Sequence, residues 1–90
     1  MRKPELAAAI AERAELSKDK ANDVLNVVLD EITNSVSKGD AVTLVGFGTF
    51  QKKNRSARTG KNPQTGAPIQ IPASSTVGFK PGKALKDSVN

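Results

Sequence analysis

The 90-residue chain contains no Cys, no His, no Trp and no Tyr, and its aromatic content is three Phe. Without Cys no disulfide can staple the fold, and without Cys or His the usual structural zinc ligands are missing. The same absences remove Ser-His and Cys-His nucleophile pairs and leave carboxylates as the one catalytic option. The carboxylates Asp19, Asp23, Asp30 and Glu31 fall on polar faces of an expected helix, where solvation accounts for them. No enzyme activity, metal or cofactor is expected. No stretch approaches the ~20 apolar residues of a membrane span, and Met1-Arg2-Lys3-Pro4-Glu5 lacks an apolar leader run. Zero Cys agrees with a reducing compartment, so a cytoplasmic protein without a membrane partner is expected.

Apolar residues are also scarce, at 37% of the chain, below the usual globular share. A single small domain with so little to bury is marginal alone. Oligomerisation is the expected further source of stability.

Acidic residues are missing from one half. Residues 51–90 hold eight Lys and Arg and only Asp87, a net of +7, whereas residues 1–50 hold six basic and eight acidic residues, a net of −2; together they make +5. The first half reads as scaffold and the second as a cationic surface for an anionic partner.

Helical spacing of Leu6 and Ile10 predicts a first helix over 3–14, with Pro4 in its first turn. Ser17 is placed as N-cap of a second helix over 18–37, with Asp19 in its first turn and Gly39 as its stop. Ala21, Val24, Leu25, Val28, Ile32 and Val36 form its apolar stripe, wider than the first helix can cover. A β-prone run at 41–45, a turn at Gly46-Phe47-Gly48 and a strand over 49–58 follow. Residues 58–72 contain Gly and Pro and almost nothing for a core, and Asn62-Pro63-Gln64-Thr65-Gly66 reads as a turn. The simplest geometry is a long two-stranded ribbon. A strand over 76–80 carrying Phe79 and a short helix over 83–89 complete the chain.

Lys52, Lys53, Arg55, Arg58 and Lys61 line the expected ribbon. A two-stranded ribbon fits a DNA groove, and its cations can neutralise phosphates. At the tip, Pro63 either shapes the turn or wedges between base steps. Asn62 and Gln64 either bond minor-groove acceptors or serve the turn. Lys80, Lys83 and Lys86 form a second basic group, read as a platform beneath bent DNA, and Lys3 is a weaker candidate. Phe47, Phe50 and Phe79, with Leu44, Val45 and Val77 nearby in sequence, are assigned to core and interface rather than to base stacking. Partial matches to dinucleotide and phosphate loops fail on spacing: Gln51 stands where a third Gly is needed, and Gly78 to Gly82-Lys83 is one residue short.

Val45-Gly-Phe-Gly-Thr-Phe50, Arg55, Arg58-Thr-Gly-Lys-Asn-Pro-Gln-Thr-Gly66, Phe79 and Gly82-Lys-Ala-Leu-Lys-Asp87 resemble the bacterial HU family over essentially the whole chain. The resemblance implies an α+β fold: an intertwined dimer with a helical body, a short antiparallel sheet and a long β-ribbon arm per subunit. It divides the single domain 1–90 into a helical dimerisation part (1–39), the sheet and DNA-binding arm (40–82, the arm at 53–75) and a C-terminal helix (83–90). It implies a homodimer or heterodimer with Val28, Ile32, Leu44, Phe47, Phe50 and Phe79 in the dimer core. It also implies minor-groove binding of double-stranded DNA in the bacterial nucleoid with little sequence preference. Arm contacts fall on Lys53, Arg55, Arg58, Lys61, Asn62, Pro63 and Gln64, with Pro63 intercalating, and body contacts on Lys3, Lys80, Lys83 and Lys86. The family often has Arg at position 61 and Lys on the returning strand, where this chain has Lys61, Ala67, Pro68 and Gln70. Lys lacks the planar fork of Arg, so fewer or weaker phosphate contacts per arm are implied. Nicked, gapped or bent DNA is the preferred ligand expected, because less deformation energy is needed. RNA is a further candidate partner, and a site-specific bender of the integration host factor type is the alternative function.

Overall fold

The computed structural model describes residues 1–90. It forms two compact units, Met1–Ser35 and Val36–Asn90.

In the first unit, α1 spans Lys3–Arg13 with Pro4 at its start, and Glu5 in its first turn and Arg13 in its last complement the helix dipole. The helix stops in a Schellman arrangement: Leu16 N–H donates to Ala11 O at 2.9 Å, and Glu15 between them takes a left-handed φ of +56°. That conformation is cheap for Gly and costs other residues about 1 kcal/mol or more. Glu15→Gly is therefore expected to raise stability by about 1 kcal/mol, a Tm increase of about 4–8 °C for a domain of this size, read by calorimetry. An unchanged or lower Tm would show that this turn holds no strain.

The helix α2 spans Lys18–Ser37. Its N-cap is Ser17, whose Oγ accepts the Lys20 N–H at 3.1 Å. Gly39, with φ +90°, donates to Val36 O at 2.9 Å and ends the helix as its sequence position predicts. The buried core of the whole chain consists of Ala7, Ala11, Ala21, Leu25 and Val36. On the α2 stripe Val24 and Val28 stay exposed and Ile32 is half-buried.

The second unit begins with β1 (Val42–Leu44), which pairs antiparallel with β2 (Gly48–Arg55), and β2 pairs in turn with β5 (Ser74–Pro81). Phe47 N–H donates to Leu44 O at 2.9 Å, and Gly46 holds φ +81° at the turn position that favours Gly. Gly48 is buried because Phe79 lies over it: a Cβ there would stand 2.5 Å from Phe79 Cζ. Phe79 stacks at 4.8 Å from Phe50 and 5.6 Å from Phe47, both tilted. Of the neighbours expected around this trio, Val77 shares the Phe50–Phe79 face of the sheet but is 62% exposed, whereas Val45 is 99% exposed at the turn apex.

The ribbon continues as β3 (Arg58–Lys61) against β4 (Pro68–Ile71). It is not one uninterrupted ladder. The β2–β5 register ends at Arg55↔Ser74, and the β3–β4 register resumes at Arg58↔Ile71 without a slip. The two intervening positions would set Ala57 opposite Pro72, which has no N–H for the ladder. The expected single strand over 49–58 is thus split. The chain ends in α3, Lys83–Ser88.

Candidate nucleic-acid interface

Side chains directly opposite on paired strands share a face, and faces alternate along each strand. The β2–β5 register therefore puts Lys53 and Arg55 on the face that also carries Lys80, and Lys52 on the Phe50–Phe79 face. In the β3–β4 segment Arg58 and Lys61 lie on opposite faces. The ribbon thus presents cations on both sides. Gly78 makes room for one of them, since any Cβ there would run into the Lys53 stem.

The tip is held by hydrogen bonds within the loop. Asn62 N–H donates to Ala67 O at 2.8 Å, and Gly66 N–H to Asn62 O at 2.7 Å. Gln64 N–H donates to Asn62 Oδ1 at 2.9 Å, and Ala67 N–H to Thr65 Oγ1 at 3.3 Å. Gly66 takes φ +71°. Asn62 is a turn residue in the sense expected: its carboxamide oxygen is engaged, and its NH₂ remains as a donor. Pro63 and Gln64 are exposed at the apex.

The second basic group is locked to the sheet through backbone. Gly82 N–H donates to Phe47 O at 2.7 Å and Leu85 N–H to Gly46 O at 3.1 Å, which fixes α3 on the β1–β2 turn. A Cβ on Gly82 would come within 2.9 Å of the Gly46 carbonyl carbon, so the approach needs glycine. Lys80 at the end of β5 and Lys83 and Lys86 on α3 are thereby carried by one rigid corner. The sequence displays the lysines but not this Gly46–Gly82 clamp, whose only trace is two glycines in turn positions. Lys3 opens α1 in the other unit and is exposed.

Lys52, Lys53, Arg55, Arg58, Lys61, Lys80, Lys83 and Lys86 are all exposed. The one ion pair in the structure, Met1 amine to Glu5 at 4.0 Å, involves none of them. Their charge is uncompensated within the fold. The ribbon therefore offers exposed, unpaired cations on both faces and an exposed Pro63 at its tip, an arrangement suited to an extended polyanion.

The comparisons with known proteins agree. The family model described as bacterial DNA-binding protein matches residues 1–90. The chain is 69% identical over 90 residues to DNA-binding protein HU-alpha of Pseudomonas aeruginosa, covering 100% of each chain. It is 53% identical over 89 residues to DNA-binding protein HU of Geobacillus stearothermophilus, covering 99% of each. Among solved structures, an Anabaena HU–DNA cocrystal superposes with a TM-score of 0.87 at 45% identity, covering 99% of this chain and 97% of that one. HU from Thermotoga maritima gives 0.70 at 31% identity, covering 100% of both chains. The chain belongs to the family of bacterial DNA-binding proteins. The likeness to HU expected from the sequence holds, as does the α+β architecture of helices, short antiparallel sheet and ribbon.

Proposed function

We propose that the chain is a histone-like protein that binds double-stranded DNA with little sequence preference, bends it and compacts it in the bacterial nucleoid. The observation that carries this reading is the ribbon with its unpaired cations and exposed Pro63 tip, in a chain 69% identical to a bacterial HU protein. The relatives and structures named above are HU proteins, and none favours a site-specific bender of the integration host factor type.

The working unit is a dimer, a homodimer or a heterodimer with a related subunit. Val28, Leu44, Phe47 and Phe79 remain 42–47% exposed in the single chain. Those residues, with Ile32 and Phe50, supply the apolar surface that a second subunit covers.

In the mechanism, Lys3, Lys80, Lys83 and Lys86 rest against phosphates while the arms follow the minor groove. Lys53, Arg55, Arg58 and Lys61 displace counterions along the backbone. Asn62 and Gln64 face the groove floor, whose A·T edges offer only acceptors. Pro63 enters a base step, at a cost of about a few kcal/mol in lost stacking. The bend returns flanking DNA to the body, where new phosphate contacts offset that cost. A duplex that is already nicked, gapped or bent needs less of that deformation energy.

Fluorescence anisotropy against two intact duplexes of unrelated sequence and a nicked copy of one tests this. Equal affinity for the intact pair and tighter binding of the nicked copy are expected. A strong preference between the intact sequences would move the reading to a site-specific bender. An RNA duplex in the same series reads whether RNA is also a ligand. Absence of binding to all of them at low salt would overturn the nucleic-acid function.

A further inference from the structure

One face of the β3–β4 segment carries Arg58 at its body end and is otherwise apolar, and no phosphate contact uses that apolar part. In the β3–β4 ladder Arg58, Gly60, Ile69 and Ile71 share one face, and Thr59, Lys61, Pro68 and Gln70 the other. Ile69 is 41% and Ile71 is 37% exposed. Gly60 lets Ile71 lie flat over the strand, since a Cβ at Gly60 would stand only 3.0 Å from Ile71 Cδ1. The result is a smooth hydrocarbon surface, with Arg58 at its edge and no hydrogen-bonding side chain between the isoleucines. An isolated ribbon gains nothing by exposing it, because a two-stranded hairpin is only marginally stable in water.

Its occupant must bring apolar surface and negative charge together. No acidic residue lies between Ala41 and Lys86, so the patch sits wholly within a cationic field. The wall of a DNA minor groove supplies both features, as deoxyribose C–H edges flanked by phosphates. In an RNA duplex the same wall carries 2′-hydroxyls, and Ile69 and Ile71 can neither donate to nor accept from them. Burying hydroxyls there without partners is costly.

We infer that Ile69 and Ile71, laid flat by Gly60, form a sugar-reading surface that selects deoxyribose over ribose in the duplex held by the arm. This inference rests on the DNA-binding function proposed above. It adds a specificity element that the phosphate contacts cannot supply, because both duplexes carry the same charge.

The test measures affinity at one salt concentration for a DNA duplex, the same DNA duplex with a few ribonucleotides substituted, and an RNA duplex of equal sequence. The full chain is compared with I69T/I71T, which keeps β-branched residues in the strand and adds hydroxyls. The unsubstituted chain is expected to prefer DNA over the ribose-containing duplexes, and the double variant to narrow that ratio by about tenfold. The narrowing should come from weaker DNA binding with RNA binding kept or gained. Gln70→Ala, on the opposite face of the same strand, should leave the ratio unchanged, which separates sugar reading from a general loss of arm structure. A double variant that weakens all duplexes equally, or changes nothing, overturns the inference. So does equal binding of DNA and RNA by the unsubstituted chain. Anionic phospholipid vesicles form a further arm: loss of vesicle binding in the double variant with DNA binding intact would assign the patch to lipid instead. Failure of the unsubstituted chain to bind any duplex at low salt is a distinct result, and it removes the DNA function as well.

Discussion

Pro63→Ala is expected to abolish most of the DNA bend while changing affinity for intact duplex at low salt by less than about tenfold. The two effects separate because the proline is not what holds the tip. The loop is closed by Asn62 N–H to Ala67 O, Gly66 N–H to Asn62 O and Gln64 N–H to Asn62 Oδ1. None of these uses a Pro63 donor, and alanine can take the same backbone position at a cost of about 0.4–1 kcal/mol in unfolded-state entropy. What alanine cannot supply is a rigid apolar ring broad enough to separate adjacent base pairs. Each inserted wedge in proteins of this kind kinks the duplex by about 20–90°. Its loss should therefore register directly as a longer end-to-end distance in energy-transfer measurements on doubly labelled DNA. Affinity moves less because the stacking energy no longer spent compensates for some of the lost body contacts. An unchanged bend with Pro63→Ala would remove the wedge and leave the tip as a turn alone.

The same reasoning bears on the nicked duplex. If the wedge accounts for the preference, Pro63→Ala should shrink the ratio between nicked and intact DNA, since an unbent complex gains little from a flexible joint. The corner formed by Gly46, Gly82 and α3 is the complementary element. It fixes Lys80, Lys83 and Lys86 on the sheet, so in the proposed complex DNA returning along the bend would meet charges held by backbone hydrogen bonds.

Much of this is legible in the residues themselves. Ser17 and Gly39 bracket α2 by local chemistry, a hydroxyl for free N–H groups and a residue tolerant of positive φ, and local chemistry is what a sequence displays best. The tip is equally clear, because Asn62, Pro63 and Gly66 each carry a turn-specific constraint. The split in the ribbon is not visible in this way, although Pro72 is plainly a residue without a donor. Its effect depends on register, and register places it opposite Ala57. Glu15 is invisible for a related reason: a left-handed C-terminal position announces itself when filled by Gly, and here it is filled by Glu. The isoleucine face escapes notice because Ile69-Gln70-Ile71 is too short an alternation to stand out among three prolines. Phe79 does stand against both Phe50 and Phe47, but Val45 is their neighbour in sequence only, at the turn apex, and Val77, although on the Phe50–Phe79 face opposite Lys52, stays 62% exposed.

Removing the arm charges together should produce the largest change in binding. In R55A/R58A/K61A the net charge falls from +5 to +2, as it does in the comparison variant R13A/K20A/K38A, whose substitutions lie outside the ribbon. If binding followed net charge alone, the two variants would weaken equally. If the ribbon tracks the backbone, the arm variant loses about six phosphate contacts per dimer. The slope of log affinity against log salt then falls by about 5 units, since each contact contributes about 0.9. Near 0.15 M salt that slope corresponds to a loss of up to about 10⁴-fold, whereas the comparison variant should lose only the weak long-range attraction, screened beyond about 8 Å. Titrations at several salt concentrations read both slopes. Parallel lines for the two variants would mean that the unpaired cations of the ribbon act as diffuse charge, and the arm would lose its place in the mechanism. A selective drop in slope for the arm variant ties the counterions released on binding to Arg55, Arg58 and Lys61, residues that the fold leaves exposed and without a single carboxylate partner.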